Sequence, residues 1–519
     1  MFKRTNMKKI GLITLLVFFS ACFALAQSGS TKVFTIFTSY GCGCTGSGGA
    51  PETYTTHEEV LDELRQSCAG VDFIEWEGNN PSALAELTDN KDRYDGVLII
   101  GRLDGDYRLA FTGLPTIVVY NLFEFMDAQP YHLFATGEMP EESVLKGGDG
   151  YKDGRILTAQ LDRRNLASPA VRDAMFNDLV DKIRLIQVVR ELRQTRILMI
   201  KNHENETIAS VNYRGDHNQS FPEGFNETYL SNFTDLFGVE IVSVEPHEFF
   251  EAYQKTDISK AEEIANEWVS NARKVTASMP EIVKTARAYL AMDELREKHN
   301  CNAVSTHIRT VSGSGELSDR FWPGVALELG FKTRGIMAVC QNYPDLLISQ
   351  VLAYLMTGRP SMLADFMYDI HNSTEIVLHS GIPINPYGDE RRVPYSIVPH
   401  AESPVRDIPE EAGSSTGLTA EWPAGESVTL WEIHSLLKRV RLHTGEIVDG
   451  HSIYTGGEDL DDVMCTAKII VKHDDIKKIQ QEFQPYLYGI HLNATLGDMR
   501  EQLKDIAVFL GLAVIETDR

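Results

Sequence analysis

The chain has 519 residues, 43% of them apolar and 24% charged. That is the composition of a folded globular protein with length for about three domains. Its formal net charge is −25 with no clustered Lys or Arg, which excludes the basic face that a nucleic-acid backbone requires.

At the N-terminus, Lys3, Arg4, Lys8 and Lys9 precede an apolar run over residues 10–23, and Ala24-Leu25-Ala26 follows. This order of charge, short apolar run and small residues reads as a secretory signal peptide over 1–26, cut before Gln27. Cys22, preceded by Phe19-Ser20-Ala21, offers a lipid anchor as an alternative. No other apolar stretch reaches spanning length, so the expected product is exported, periplasmic or extracellular. Export permits a disulfide among Cys42, Cys44 and Cys68. Cys301, Cys340 and Cys465 sit in apolar runs and read as buried thiols.

The mature chain opens with a strand over residues 33–37, a glycine-rich loop over 41–49 and a helix over 56–67. The loop has neither dinucleotide-fingerprint nor P-loop spacing, so it reads as a permissive loop at a strand end. Residues 71–74, 95–101 and 115–120 read as further strands, the last two apolar throughout as in buried parallel sheets. A long helix over 168–194 ends this first α/β domain, placed at 27–190. A second α/β domain, 191–362, has strands at 196–200, 237–244, 301–305 and 335–340 and helices at 259–275, 280–299 and 344–357. Alternating strands and helices imply doubly wound, Rossmann-like sheets. From 363 to 519 the strands shorten and Gly and Pro turns multiply, which fits a β-rich, barrel-like domain. Its strands include 376–379, 427–430, 439–442, 468–471 and 512–515, with a loop over 404–417 and a closing helix over 497–510.

Three polar positions project from apolar settings. Cys340-Gln341-Asn342 ends a strand and opens a helix, where a crevice forms in open α/β sheets. Leu363-Ala364-Asp365 ends an apolar run on a carboxylate, and Tyr488-Gly489-Ile490-His491 ends one on an imidazole. Taken singly, an Asp at a strand end is more commonly a turn residue and a His after an apolar run a satisfied core residue. Together, an amide, a carboxylate and an imidazole are donors suited to a divalent cation.

In their order these motifs resemble the L-fucose isomerase and L-arabinose isomerase superfamily. Gln341-Asn342 stands where the L-fucose isomerases have Glu-Asn. Leu363-Ala364-Asp365 resembles their metal-binding run, and His379-Ser380-Gly381 their next short motif. His491, Gly497-Asp498 and Leu510-Gly511-Leu512 resemble their closing segment. The resemblance implies a divalent metal, Mn2+ above all, held by Gln341, Asp365 and His491. Asp365 and Gln341 would occupy the catalytic positions, with Asn342, His379 and Ser380 against a sugar. It implies an aldose–ketose isomerase acting on a pentose or 6-deoxyhexose, assembled as a trimer or hexamer. Gln341 departs from the pattern: its amide oxygen can coordinate a metal but cannot accept a proton as a base. Glu316, Asp319, Asp345 and Asp369 are the carboxylates nearby in sequence that could replace the lost one. The other reading of Gln341 is a non-catalytic, exported carbohydrate-binding relative.

Overall fold

A computed structural model describes residues 29–38, 55–101, 107–122, 154–201, 225–306, 323–400, 415–457, 460, 464–482 and 491–519. The signal segment with Cys22, the glycine-rich loop with Cys42 and Cys44, Glu316, Asp319, residues 488–490 and most of the 404–417 loop lie outside these. The protein is mixed α/β and divides into two compact units. One comprises Met1–Glu191 with Lys504–Leu512, the other Leu192–Leu503 with Ala513–Arg519. Among the described residues no helix is long and apolar enough to cross a membrane.

The first unit is built on β1 (Thr31–Thr38), α1 (His57–Ser67), β2 (Val71–Glu75), α2 (Asn80–Asp89), β3 (Gly96–Gly101), β4 (Thr116–Asn121), β5 (Ile156–Leu161) and α3 (Pro169–Leu192). Its five strands are parallel in the order β2-β1-β3-β4-β5. Every residue of β3 and β4 is buried, as a strand covered on both faces requires. At Gly96 a Cβ would lie 2.7 Å from Ile186 Cγ2, so glycine lets α3 pack directly on β3. The α1 N-terminus is set by a capping box: Thr56 accepts from the Glu59 N–H while the Glu59 carboxylate accepts from the Thr56 N–H.

The second unit begins with β6 (Arg196–Ile200), α4 (Phe225–Phe237), β7 (Glu240–Val244), α5 (Pro246–Lys255), α6 (Ile258–Asn271), β8 (Lys274–Val275), α7 (Met279–Lys298), β9 (Ala303–Thr306), a π-helical turn (Ala326–Phe331), β10 (Met337–Cys340) and α8 (Pro344–Thr357). Its four-stranded parallel sheet runs β10-β9-β6-β7. Next come β11 (Met362–Asp369), β12 (Thr374–His379), β13 (Tyr395–Pro399), β14 (Thr416–Ala420), β15 (Ser427–His434), β16 (Arg439–Val448), β17 (Ala467–Lys472), β18 (His491–Leu496) and β19 (Ala513–Glu516), while α9 (Arg500–Leu510) falls mostly in the first unit.

Seven of these strands form one sheet, in the order β15-β18-β11-β12-β17-β16-β19. β15 also pairs with β16 along its whole length, which closes a ring of six strands and leaves β19 attached outside it. Side chains alternate across a strand, and the ring sorts them accordingly. Met362, Ala364, Val377, Val428, Leu430, Ile447, Ala467, Ile469, Val471, Leu492 and Ala494 make one continuous apolar core. Asp365, His491, Asn493 and Thr495 fall on the opposite face.

Candidate functional site

The register of β11 against β18 sets Asp365 directly opposite His491. Asp365 Oδ1 is 2.9 Å from His491 Nε2. The other ring nitrogen, Nδ1, is 2.9 Å from the Tyr343 hydroxyl, so both edges of the imidazole are engaged. His379 ends the neighbouring strand β12, one residue past Leu378, which pairs with Asp365. The ligand atoms of Asp365, His379 and His491 all lie within 4.8 Å of one another. His379 and His491 are buried, whereas the Asp365 side chain is 32% exposed. Asp365 is therefore the member of the trio open to solvent.

Behind the trio stands the strand-to-helix corner of the parallel sheet. Gln341 and Asn342 both have positive φ, 76° and 51°, a conformation that costs a non-glycine residue about 1–2 kcal/mol. The corner is held by Asn342, which is fully buried. Its Oδ1 accepts from Ser305 Oγ at 3.1 Å, and its Nδ2 donates to the Ile200 carbonyl at 3.2 Å. The Gln341 N–H donates to the Thr306 carbonyl. Tyr343 thereby arrives at His491, and Cys340 Sγ lies 3.8 Å from the His379 ring. Ser380 Oγ is 3.2 Å from His379 Nδ1.

The electrostatics follow from burial. Burial raises the Asp365 carboxyl, but the adjacent His491, with His379 beyond it, outweighs that and holds it below the ordinary carboxylate value. Burial pushes His379 down to about 4, against the pull of Asp365. It pushes the Cys340 thiol up to about 12 and Tyr343 well above its usual value. At neutral pH the site therefore presents one carboxylate, a neutral His379, a thiol and a phenol. A protonated Cys340 is a poor nucleophile.

Of the residues singled out in the sequence, Asp365, His379 and His491 meet. Gln341 sits at the adjoining corner, next to Cys340. Asn342 spends its side chain on the corner, and Ser380 orients His379. Of the nearby carboxylates, the two among the described residues lie elsewhere. Asp369 accepts from the His371 and Asn372 N–H groups at the exposed end of β11. Asp345 is buried in the first turn of α8, and burial pushes it up to about 7.

One pair escapes a sequence reading. Lys332 and Glu328, both buried, face each other at 2.9 Å. Lys332 Nζ also donates to the Ser361 carbonyl at 2.8 Å. Glu328 Cγ packs 2.9 Å from where a Cβ of Gly381 would be, and Lys332 contributes to the lowering at His379. The available signal is a Glu and a Lys four positions apart beside the apolar run 325–331.

His400 is a further histidine within electrostatic reach. Burial, reinforced by His379 and Lys468, takes it down to about 3. It stays neutral in the folded chain, whereas an unfolded histidine takes up a proton below about pH 6.5. For a base with a lowered folded value, stability falls as pH falls from about 6.5 towards 3, by up to about 1.4 kcal/mol per pH unit. His400→Gln is expected to flatten the loss of urea resistance between pH 7 and pH 5. An unchanged slope would refute the assignment.

The donor set suits a divalent cation. Two donors held about 2.1 Å from one ion at a right angle sit about 3.0 Å apart, close to the Asp365–His491 separation of 2.9 Å. One carboxylate and two imidazoles make a mixed oxygen and nitrogen set. No family model matches the chain, and no curated protein matches it.

Proposed function

We propose that this protein is a metal-dependent aldose–ketose isomerase-like protein acting on a pentose or a 6-deoxyhexose, with Rossmann-like α/β domains preceding a barrel-like domain. The observation that carries the reading is the meeting of Asp365, His379 and His491 from three adjacent strands. The resemblance to L-fucose isomerases assigned ligand roles to two of these residues, and the donor chemistry of the third fits the same ion. Asp365 and His491 would hold the metal, with His379 completing the trio and the Gln341 amide adjoining it. When bound, the cation, Mn2+ by resemblance, supplies Lewis-acid polarisation of a sugar carbonyl.

The chain's own residues do the rest. Asp365 is ionised and partly open to solvent, so it is placed to take a proton from one carbon of a bound sugar and return it to the next. Tyr343 fixes the imidazole of His491 against Asp365. Ser380 orients His379, and Asn342 locks the corner that carries Tyr343.

Gln341 favours a second reading, a carbohydrate-binding protein without turnover, because the neutral amide removes one proton acceptor. Metal content after Mn2+ loading, followed by ketose formation over a panel of pentoses and 6-deoxyhexoses, separates the two. Turnover that rises in Gln341→Glu supports the isomerase. Sugar binding without turnover in either form supports the binding protein, and no bound metal sinks the isomerase.

A further inference from the structure

A second group of ligating side chains lies on the inner face of the six-stranded ring. Glu375 on β12, His443 on β16 and His473 just past β17 have their ligand atoms within 4.8 Å of one another. All three side chains are at most 4% exposed. Glu375 shares its face with Val377 and pairs with Val471, two residues before His473, so strand alternation aims these groups inward. They take no part in the site at Asp365, which lies on the other face.

The hydrogen bonds around this group leave a definite gap. His473 Nδ1 is 3.1 Å from the Thr444 carbonyl. A carbonyl oxygen only accepts, so Nδ1 carries the proton. In the neutral ring Nε2 is then a bare lone pair, and it points at Glu375 Oε2 across 3.1 Å. Two electron-rich atoms buried face to face need a positive charge between them. His443 Nε2 approaches the same oxygen at 2.8 Å, while its Nδ1 is engaged by Thr517 Oγ1 at 3.1 Å. Arg441, a buried cation within electrostatic reach of His443, pairs with Glu432 at 2.8 Å. Glu375 Oε1 and His473 Nε2 are both buried without a hydrogen-bond partner.

We propose that Glu375, His443 and His473 form a binding site for a Zn2+-class divalent cation inside the ring, separate from the site at Asp365. Two imidazole nitrogens and one carboxylate are ligands such a cation takes. The unpartnered Oε1 supplies a fourth donor if Glu375 binds through both oxygens. Thr444 and Thr517 would hold the outer nitrogens of the two rings, the supporting shell that metal-bound histidines require. The cation would join β12, β16 and β17 at one end of the ring, a structural role.

The test uses the full chain, produced with added zinc and passed through metal-free buffer. It compares wild type with Asp365→Asn/His491→Gln, which disables the other site. The double variant is expected to retain about one equivalent of zinc. Adding Glu375→Gln and His473→Leu should lower that about tenfold. Because a change inside the ring can prevent folding, the double variant is also loaded with Co2+ in place of zinc. Visible d–d absorption of a low-symmetry nitrogen and oxygen site is expected at one equivalent. Less than about a tenth of an equivalent of zinc together with no cobalt bands overturns the proposal, leaving a buried imidazolium–carboxylate pair. Zinc retained undiminished after Glu375→Gln/His473→Leu overturns it as well.

Discussion

Asp365→Asn is expected to weaken divalent-cation binding at the Asp365 site about 100-fold or more and to abolish any turnover that depends on it. Asparagine has the same shape, and its side-chain oxygen still accepts from His491 Nε2, so the paired register of β11 and β18 survives. What disappears is the anion of the trio; His379 and His491 are imidazoles and carry no negative charge. Losing even an outer partner of a metal ligand costs about 10–100-fold in affinity, and this change removes an inner one. Titration of Mn2+ into wild type and variant, read by the electron paramagnetic resonance of the free ion, gives the ratio. Circular dichroism shows whether the fold is unchanged. Equal affinities would remove the metal from the proposed function. Zinc held inside the ring by Glu375 should be untouched, which keeps the two sites experimentally distinct.

Lys332→Met is expected to be the most destabilising single change near the site, at about 3–5 kcal/mol. The buried Lys332–Glu328 pair at 2.9 Å is expensive to desolvate, and removing one partner strands the other. Glu328 Oε2 already lacks a partner, so nothing nearby takes over. Methionine fills the space of the lysine stem but leaves a carboxylate in an apolar setting. Its folded pKa then lies above the unfolded one, so the variant should regain stability as pH falls towards the ordinary carboxylate range. Glu328→Gln/Lys332→Met should recover most of the loss at neutral pH, because neither charge remains. Urea unfolding at pH 7 and pH 5 for the three proteins reads both effects. A loss below about 1 kcal/mol with no pH dependence would mean the pair contributes as an exposed ion pair does.

Much of the local structure was legible from residue pattern. The apolar runs at 95–101 and 115–120 are β3 and β4, and the helices read at 168–194, 280–299 and 344–357 are α3, α7 and α8 within two residues. The pattern misleads where long-range pairing decides. The helix read over 259–275 ends at Asn271 because Lys274 and Val275 pair with Ser396 and Ile397 of β13. β15 and β16 outrun their apolar cores because they pair with each other over Ser427–His434, with Glu432 set opposite Arg441, and β16 goes on to pair with β17.

The site divides the same way. Asp365 and His491 stand out as polar ends of apolar runs. The resemblance sets His379 against a sugar, and nothing in its own stretch shows that β12 lies beside β11. The inner group of Glu375, His443 and His473 comes from three strands with no fixed spacing. Only its position on inward-facing steps of the alternation marks it, and that step is assigned only once the register is known.

The closed ring also dictates an order of events during folding. β18 is the strand that lies between β11 and β15, and it is among the last made. Until residue 496 has emerged, β11 and β15 each keep an open hydrogen-bonding edge, and such edges recruit other chains. Asp365 waits through the same interval for the histidine that completes its site. Joining positions 365 and 491 is a distant closure of the kind that slows folding. Completion of the Asp365 trio and protection from misassociation therefore come with a single late event, the insertion of His491–Leu496 into the gap that the earlier strands hold open.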